Sequence, residues 1–243
     1  MDAPAAPELI AAIDATWPAA ETRRRGAWVL RRGAGGGKRV SAASLWPGAR
    51  ETPDIALAEE AMRAWGQAPL FRLGGTEAEA ALDRRLAAAG HPVLDPVVVY
   101  AAPVAALTDD RDETARIIRI STPLRIAEEI WEAGGIGPAR RAVMDRAKGP
   151  KTTLMARAGD RPAAIAFAAC AGRIAMLHAV EVLEAHRRGG AGTGLLHGAA
   201  NWAAEAGAEW LALAVTEANA PARALYEKLG MGLAARYHYR GEA

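Results

Sequence analysis

The chain has 243 residues, enough for one large α/β domain or two small ones around an ample core. Apolar residues make up 51%, which excludes global disorder, and 30 basic against 28 acidic residues leave a net charge of +2. That near-balance argues against a nucleic-acid-tracking face, which shows as a basic excess. A single cysteine, Cys170, excludes a disulfide framework and any cysteine-based zinc site. No run of 18 apolar residues occurs, so no membrane partner is expected. Residues 1–10 carry Asp2 and Glu8 and no basic residue, unlike a secretory signal, so the expected location is cytoplasmic.

Periodicity and punctuation predict a helix over 7–20, then strands over 27–32 and 40–46 joined by the glycine-rich link 33–37, read as a hairpin turn or loose loop. Ile55, Ala58, Met62 and Trp65 recur at helical steps within 54–65. A short strand over 69–73 precedes a helix over 77–89 that Gly90 ends, and the β-branched run Val97-Val98-Val99 marks a buried strand over 94–104. The charged stretch 108–113 is taken as a domain boundary, giving units 1–108 and 109–243. Beyond it come helices over 123–132 and 138–147, and strands over 153–157, 163–169 and 174–182. A helix over 194–206, a strand over 210–215, a helix over 221–229 opened by Pro221 and stopped by Gly230, and a strand over 233–240 complete the chain. The run 81–86 before Gly90 resembles 224–229 before Gly230, which suggests a diverged internal duplication.

Chemistry concentrates between Met176 and Gly232. The strand ending at Val182 leads into Arg187, Arg188, Gly189, Gly190, Ala191, Gly192, Thr193 and Gly194, where a helix begins. Glycines let a ligand approach the backbone, and a helix start presents unpaired N–H groups, so strand, loop and helix together suit a phosphate or pyrophosphate. Alone, such a loop is also what a mere tight turn looks like. Context comes from Asn219-x-x-Ala222-x-x-Leu225-Tyr226-Glu227-Lys228-Leu229-Gly230 after the next strand.

With the strand end Val180-Glu181-Val182, the Arg187-x-x-Gly190-x-Gly192 loop and the Asn219…Tyr226 helix in this order and spacing, residues 150–240 resemble the GCN5-related N-acetyltransferase (GNAT) superfamily. The whole chain also resembles bacterial tandem-GNAT proteins, whose first half is a degenerate copy and whose last strand ends Tyr-x-Tyr-Arg, here Tyr237-His238-Tyr239-Arg240. The resemblance implies an α/β (α+β) class fold of tandem GNAT type, with mixed central sheets flanked by helices and the intact acyl-CoA fold in the second half. It implies an N-acetyltransferase that moves an acetyl group from acetyl-CoA to a primary amine by direct attack in a ternary complex, without a metal. The acceptor class is a small-molecule or peptide amine, and a homodimer is compatible with it.

By the same resemblance, Arg187 and the loop and helix amides from Arg188 to Gly194 take the pyrophosphate. The strand end Val180, Glu181 and Val182 takes the pantetheine arm through the backbone of Val180 and Val182, and Asn219 contacts that arm. Tyr226 is the implied general acid for the leaving thiolate. The base stays open at this stage: His178 shares the Val180 face on strict alternation, unless a bulge changes the count, and stands ahead of Glu181, which alternation puts opposite.

The first half has no such loop, so one cofactor site per chain is expected, with the first half walling the acceptor cleft, supporting the fold or mediating dimerisation. Two other functions compete: an inert acyl-CoA sensor using the same pocket, and a dinucleotide-binding domain built on Gly190-x-Gly192-x-Gly194 with Glu217 on the ribose. Against the latter, seven residues separate Val182 from Gly190, where that fold needs its first glycine directly after the strand. Cys170, in an alanine run, reads as a small buried hydrophobe. No histidine has metal-ligand spacing.

Overall fold

A computed structural model describes residues 2–108, 116–122 and 124–242. The elements in chain order are α1 (Ala6–Thr16), β1 (Glu21–Arg25), β2 (Trp28–Arg32), α2 (Lys38–Ser41), β3 (Ser44–Leu45), α3 (Ile55–Ala64), β4 (Leu70–Leu73), α4 (Glu77–Ala88), β5 (Val93–Pro103) and α5 (Val104–Leu107). They continue with β6 (Arg116–Ile120), α6 (Arg125–Ala133), α7 (Pro138–Arg146), β7 (Lys151–Ala158), β8 (Arg161–Ala171), β9 (Ile174–Val182), α8 (Ala191–Glu205), β10 (Trp210–Thr216), α9 (Ala220–Lys228) and β11 (Gly232–Gly241). Residues 109–115, on which the charged boundary stretch falls except for Thr108, lie outside the described residues.

Eight strands form one mixed sheet in the order β4-β11-β5-β10-β9-β8-β7-β6, and β1-β2-β3 form a small second sheet. Alternation on β5 shows how the large sheet divides its side chains: Val98, Tyr100 and Ala102 join the core under α8, while Val97, Val99 and Ala101 join the one under α1. A third apolar cluster packs α6 and α7 on the same face as α1, and a fourth fills the space between β2, β4, α3 and α4. Helix α8 lies close on the sheet because its inner face is small: a Cβ at Gly198 would stand 2.7 Å from Cγ2 of Ile117.

The faint repeat between 81–86 and 224–229 is a pair of strand–helix–strand units, β4-α4-β5 and β10-α9-β11. Their second strands are exchanged. β11 pairs antiparallel with β4, β5 pairs antiparallel with β10, and β5 and β11 pair with each other at the centre. The large sheet thus takes strands from both sides of residue 108, and each unit closes the other's sheet edge.

Most predicted elements form within a few residues, and three departures have local causes. Residues 40–46 become the end of α2 and the short β3 rather than one strand, because the glycine link 33–37 does not turn a hairpin. It packs against α7 instead: a Cβ at Gly36 would lie 2.6 Å from Val143 Cγ2 and 2.8 Å from Val40 Cγ2. Helix α8 starts at Ala191, so Ala191, Gly192 and Thr193 belong to its first turn. Strands β1 and β6 lie outside the predicted elements: β1 is polar and holds Arg23, Arg24 and Arg25 exposed on the edge of the small sheet, and β6, at the edge of the large sheet, carries Ile117, Ile118 and Ile120 between arginines.

One carboxylate ties α1 to both sheets. Asp14 accepts a bidentate pair from Arg72 of β4, at 2.6 and 2.8 Å, and a third bond from Arg31 of β2 at 2.7 Å. Burial opposes its charge, but the Arg72 and Arg31 guanidiniums outweigh that and hold the carboxyl below the usual aspartate range. With the folded-state pKa depressed, this contribution is complete above the ordinary aspartate pKa and is lost as pH falls through the lowered value. Asp14→Asn, which leaves two buried guanidiniums without their anion, is expected to lower stability by about 3 kcal/mol near neutrality in urea denaturation, and by much less near pH 2.

Candidate active site

The site begins where two parallel strands part. β9 and β10 pair from Ile174↔Trp210 only as far as Leu177↔Leu213. Beyond that point β9 keeps β8 on its outer side and β10 keeps β5, but their facing edges are unpaired. The exposure changes there too: β9 turns from buried to half-buried at Ala179, and β10 at Ala214. The backbone of Val180 and Val182 therefore faces an open crevice.

A bulge produces the split. In the β8–β9 ladder Phe167 pairs with His178 and Ile165 with Glu181, so two residues, Ala179 and Val180, oppose Ala166 alone. Ala179 takes φ +50°, a left-handed conformation costly for a residue with a Cβ, and the surroundings hold it there. The buried Trp131 of α6 donates from Nε1 to the Ala179 carbonyl at 2.9 Å.

The bulge also settles the alternation. Val180 and Val182 pack toward α8, whereas Ala179 packs toward α6 and α7 and His178 packs against Trp17 and Phe167. His178 thus lies on the face opposite Val180, and the shared face expected from strict alternation is corrected. Glu181 lies on the His178 side, its carboxylate against the bare Cα of Gly134 at the end of α6, where a Cβ would stand 2.3 Å from Oε2. Burial raises the Glu181 pKa, and Arg187, at 3.7 Å, together with the Val182 amide, offsets it in part.

After a 3-10 turn at Glu184–His186, the chain reaches α8 through two left-handed residues, Arg188 at φ +61° and Gly190 at φ +88°. Gly190 is the N-cap, and α8 has no side-chain cap. The amides of Arg188, Gly189, Gly190, Ala191, Gly192 and Thr193 find no acceptor among the described residues, while Gly194 has entered the helical ladder by donating to Gly190. These orphan donors at the positive end of a 15-residue helix form an anion cradle. A Cβ at Gly192 would meet Leu225 Cδ2 at 3.0 Å, so the absent side chain keeps α8 and α9 close. Arg187 donates from Nε to the Val182 carbonyl at 3.2 Å, joining loop and strand end.

Helix α9 closes the other side of the crevice. Asn219 caps it, accepting from the Ala222 amide at 3.2 Å. Tyr226 is 6% exposed and packs on Tyr100 with ring centroids 5.8 Å apart. Burial pushes its pKa up to about 12, and its hydroxyl has no partner among the described residues. A proton is therefore held on Tyr226 Oη throughout the physiological range.

His178 is engaged at both ring nitrogens. Thr16 Oγ1 already donates to the Ala12 carbonyl at 2.6 Å, so it accepts from Nε2–H of His178 at 2.8 Å. Nδ1 then accepts from Arg39 Nη1 at 3.2 Å. Burial, with Arg39 adding to it, holds the pKa well below 6.5. Arg39, Trp131 and Gly134 are parts of this arrangement that sequence reading passes over, because no spacing rule links them to β9. Cys170 is buried and its thiol is pushed up to about 11, as a small core residue would be. Among the described residues no cluster of three or more metal-ligating side chains occurs, and no helix is long and apolar enough to cross a membrane.

A bulged strand parting from its parallel neighbour, with a glycine turn and an uncapped helix N-terminus at the end of the split, is an arrangement of the GNAT fold. Residues 124–231 match the acetyltransferase (GNAT) family model. Among solved structures, a GCN5-related N-acetyltransferase from Kribbella flavida superposes with a TM-score of 0.69 at 21% identity, covering 96% of this chain and 94% of that one. A functionally unknown conserved protein from Staphylococcus epidermidis gives 0.69 at 12% identity, over 94% and 96%. A tandem GNAT protein from the clavulanic acid biosynthesis pathway gives 0.65 at 16% identity, over 93% and 84%. At these identities the likeness is one of fold. No curated protein sequence matches the chain.

A His178 held this way stays the neutral Nε2–H tautomer. Nitrogen-15 NMR of the imidazole should show that form down to about pH 5, where an exposed histidine of pKa ~6.5 is largely protonated. Because the folded-state pKa is depressed, stability should fall as pH drops below about 6.5, with proton uptake on unfolding.

Proposed function

We propose that this chain is an N-acetyltransferase that uses acetyl-CoA and acts on a small-molecule or peptide amine. The observation that carries the reading is the parting of β9 from β10 after Leu177 and Leu213, followed along the chain by the orphan amides of the α8 N-terminus. Acetyl-CoA fits it by chemistry: a pyrophosphate for the helix-end donors, amide groups for the unpaired edge of β9, and a thioester for the inner end. When bound, it supplies an activated acetyl group open to attack by a neutral amine.

The protein's own groups divide the proton work. Glu181 is the proposed proton acceptor for the incoming ammonium, directly or through water, since it faces the acceptor side and its desolvated carboxylate is a stronger base than an exposed one. His178 drops back from that role, its one lone pair already engaged by Arg39. Tyr226 Oη holds the proton for the departing sulfur. A backbone amide on the unpaired edge of β9 is the proposed donor for developing negative charge on the carbonyl oxygen. Residues 1–108, read as a diverged copy, wall the acceptor face through Thr16, Trp17 and Arg39.

Calorimetric titration of the purified protein with acetyl-CoA, NAD and NADP tests the cofactor. Saturable acetyl-CoA binding, lost in Gly192→Glu, is expected; binding of NAD instead would replace this reading with a dinucleotide site. Tyr226→Phe should lower kcat by about 10²-fold, with the Kd for acetyl-CoA within about 2-fold of the native value, since only the proton donor is lost.

The pH profile of kcat/KM should fall on the acid side with an apparent pKa above that of a free glutamate, because burial raises Glu181. No loss tied to Tyr226 should appear below about pH 11. Glu181→Gln should abolish the acid limb and reduce the rate by roughly 10²-fold.

A further inference from the structure

Beside the crevice, under α1 and α2, the charge of Asp14 does not balance its neighbours. The guanidiniums of Arg31 and Arg39 both lie near that of Arg72, and Asp14 is fully taken up by Arg31 and Arg72. Among the described residues Arg39 makes no ion pair. Its hydrogen-bonding neighbour is the neutral Nδ1 of His178, the first β9 residue past the paired ladder. The Arg39 Nε–H is buried and has no acceptor. Beside it stands Tyr237 of β11, 3% exposed, whose buried hydroxyl is near enough to share a weak hydrogen bond with Arg39 and has no partner at full hydrogen-bond geometry.

Orphaned buried donors are costly, and a buried cation without an anion is costlier still. Two such groups side by side, next to the first β9 residue past the split, keep hydrogen-bonding capacity that an added acceptor would fill. His178 keeps the guanidinium in place: Thr16 fixes its tautomer, and the ring leaves Arg39 charged rather than competing for its proton. One free guanidinium and one hydroxyl match a planar monoanion better than a phosphate dianion, which draws several cations.

From this juxtaposition we propose that Arg39 and Tyr237 bind a carboxylate group of the acceptor amine, so that the acceptor is an amino acid or a related amino-carboxylate. The proposal rests on the acetyltransferase reading for its turnover consequences. The anion site itself rests on Arg39 and Tyr237 alone.

The test compares the standard amino acids with their carboxamides on the full-length protein, by acetyl-CoA-dependent thiol release and, separately, by thermal shift without acetyl-CoA. For the best acceptor, kcat/KM for the acid should exceed that for the amide by at least about 10-fold, the worth of one charge-assisted hydrogen bond. Arg39→Met should bring that ratio to about one, with the KM for acetyl-CoA changed less than about 2-fold. Should Arg39→Met fail to fold, Tyr237→Phe, which removes one hydroxyl, should lower the ratio by roughly 3- to 10-fold.

The thermal shift separates the two readings. If acetyl-CoA does not bind but acids raise the melting temperature and amides do not, and Arg39→Met loses the difference, the acetyltransferase reading fails and the carboxylate site stands. Equal effects of acid and amide, an acid preference that survives both variants, no effect of any acid in either assay, or a preference for phosphorylated amines would overturn it.

Discussion

Everything in the site depends on one backbone event, the parting of β9 from β10 after Leu177 and Leu213. A parallel pair that stayed in register would satisfy its own amides and leave nothing for a ligand. The extra residue at Ala179 twists β9 away, and the backbone cost of its left-handed φ is balanced by the Trp131 hydrogen bond and by the packing of α6. The rest is arranged around the opening: α8 brings its uncapped N-terminus to one end, α9 brings Tyr226 to one side, and α1 and α2 cover the far face.

The exchange of second strands explains why a first half without a cofactor loop is nonetheless required. β5 and β11 each complete the other unit's part of the sheet, so β10, one wall of the crevice, is supported by a strand of the first half. The same half supplies Thr16, Trp17 and Arg39 to His178.

Legibility in the sequence followed the range of the interactions. Elements driven by local signals were readable: the Val97–Val99 run of β5, Pro221 and Gly230 around α9, and the Asn219 cap, which the structure shows bonded to Ala222. The glycine loop was readable as a turn that opens a helix, though α8 begins three residues before the periodicity of its apolar stripe. The face of His178 was not, because a bulge is set by how β9 pairs with β8 and leaves no mark in composition. Arg39 was invisible for a different reason: it lies 139 positions from its partner in a short polar helix.

Taken by itself, the sequence determined the mixed α/β elements, the strand–loop–helix that presents bare amides, and the Asn219-to-Gly230 helix that carries Tyr226. Each of these is encoded within a turn or two of chain, by backbone freedom, capping and hydrophobic period. Only the tertiary structure decided which face each residue of β9 presents, that the two repeats trade strands, and that a charged arginine from the first half stands beside Tyr237 without an anion. Those outcomes depend on pairing register and on burial between segments far apart in sequence, and one shifted residue in a strand reverses the direction of the side chains that follow.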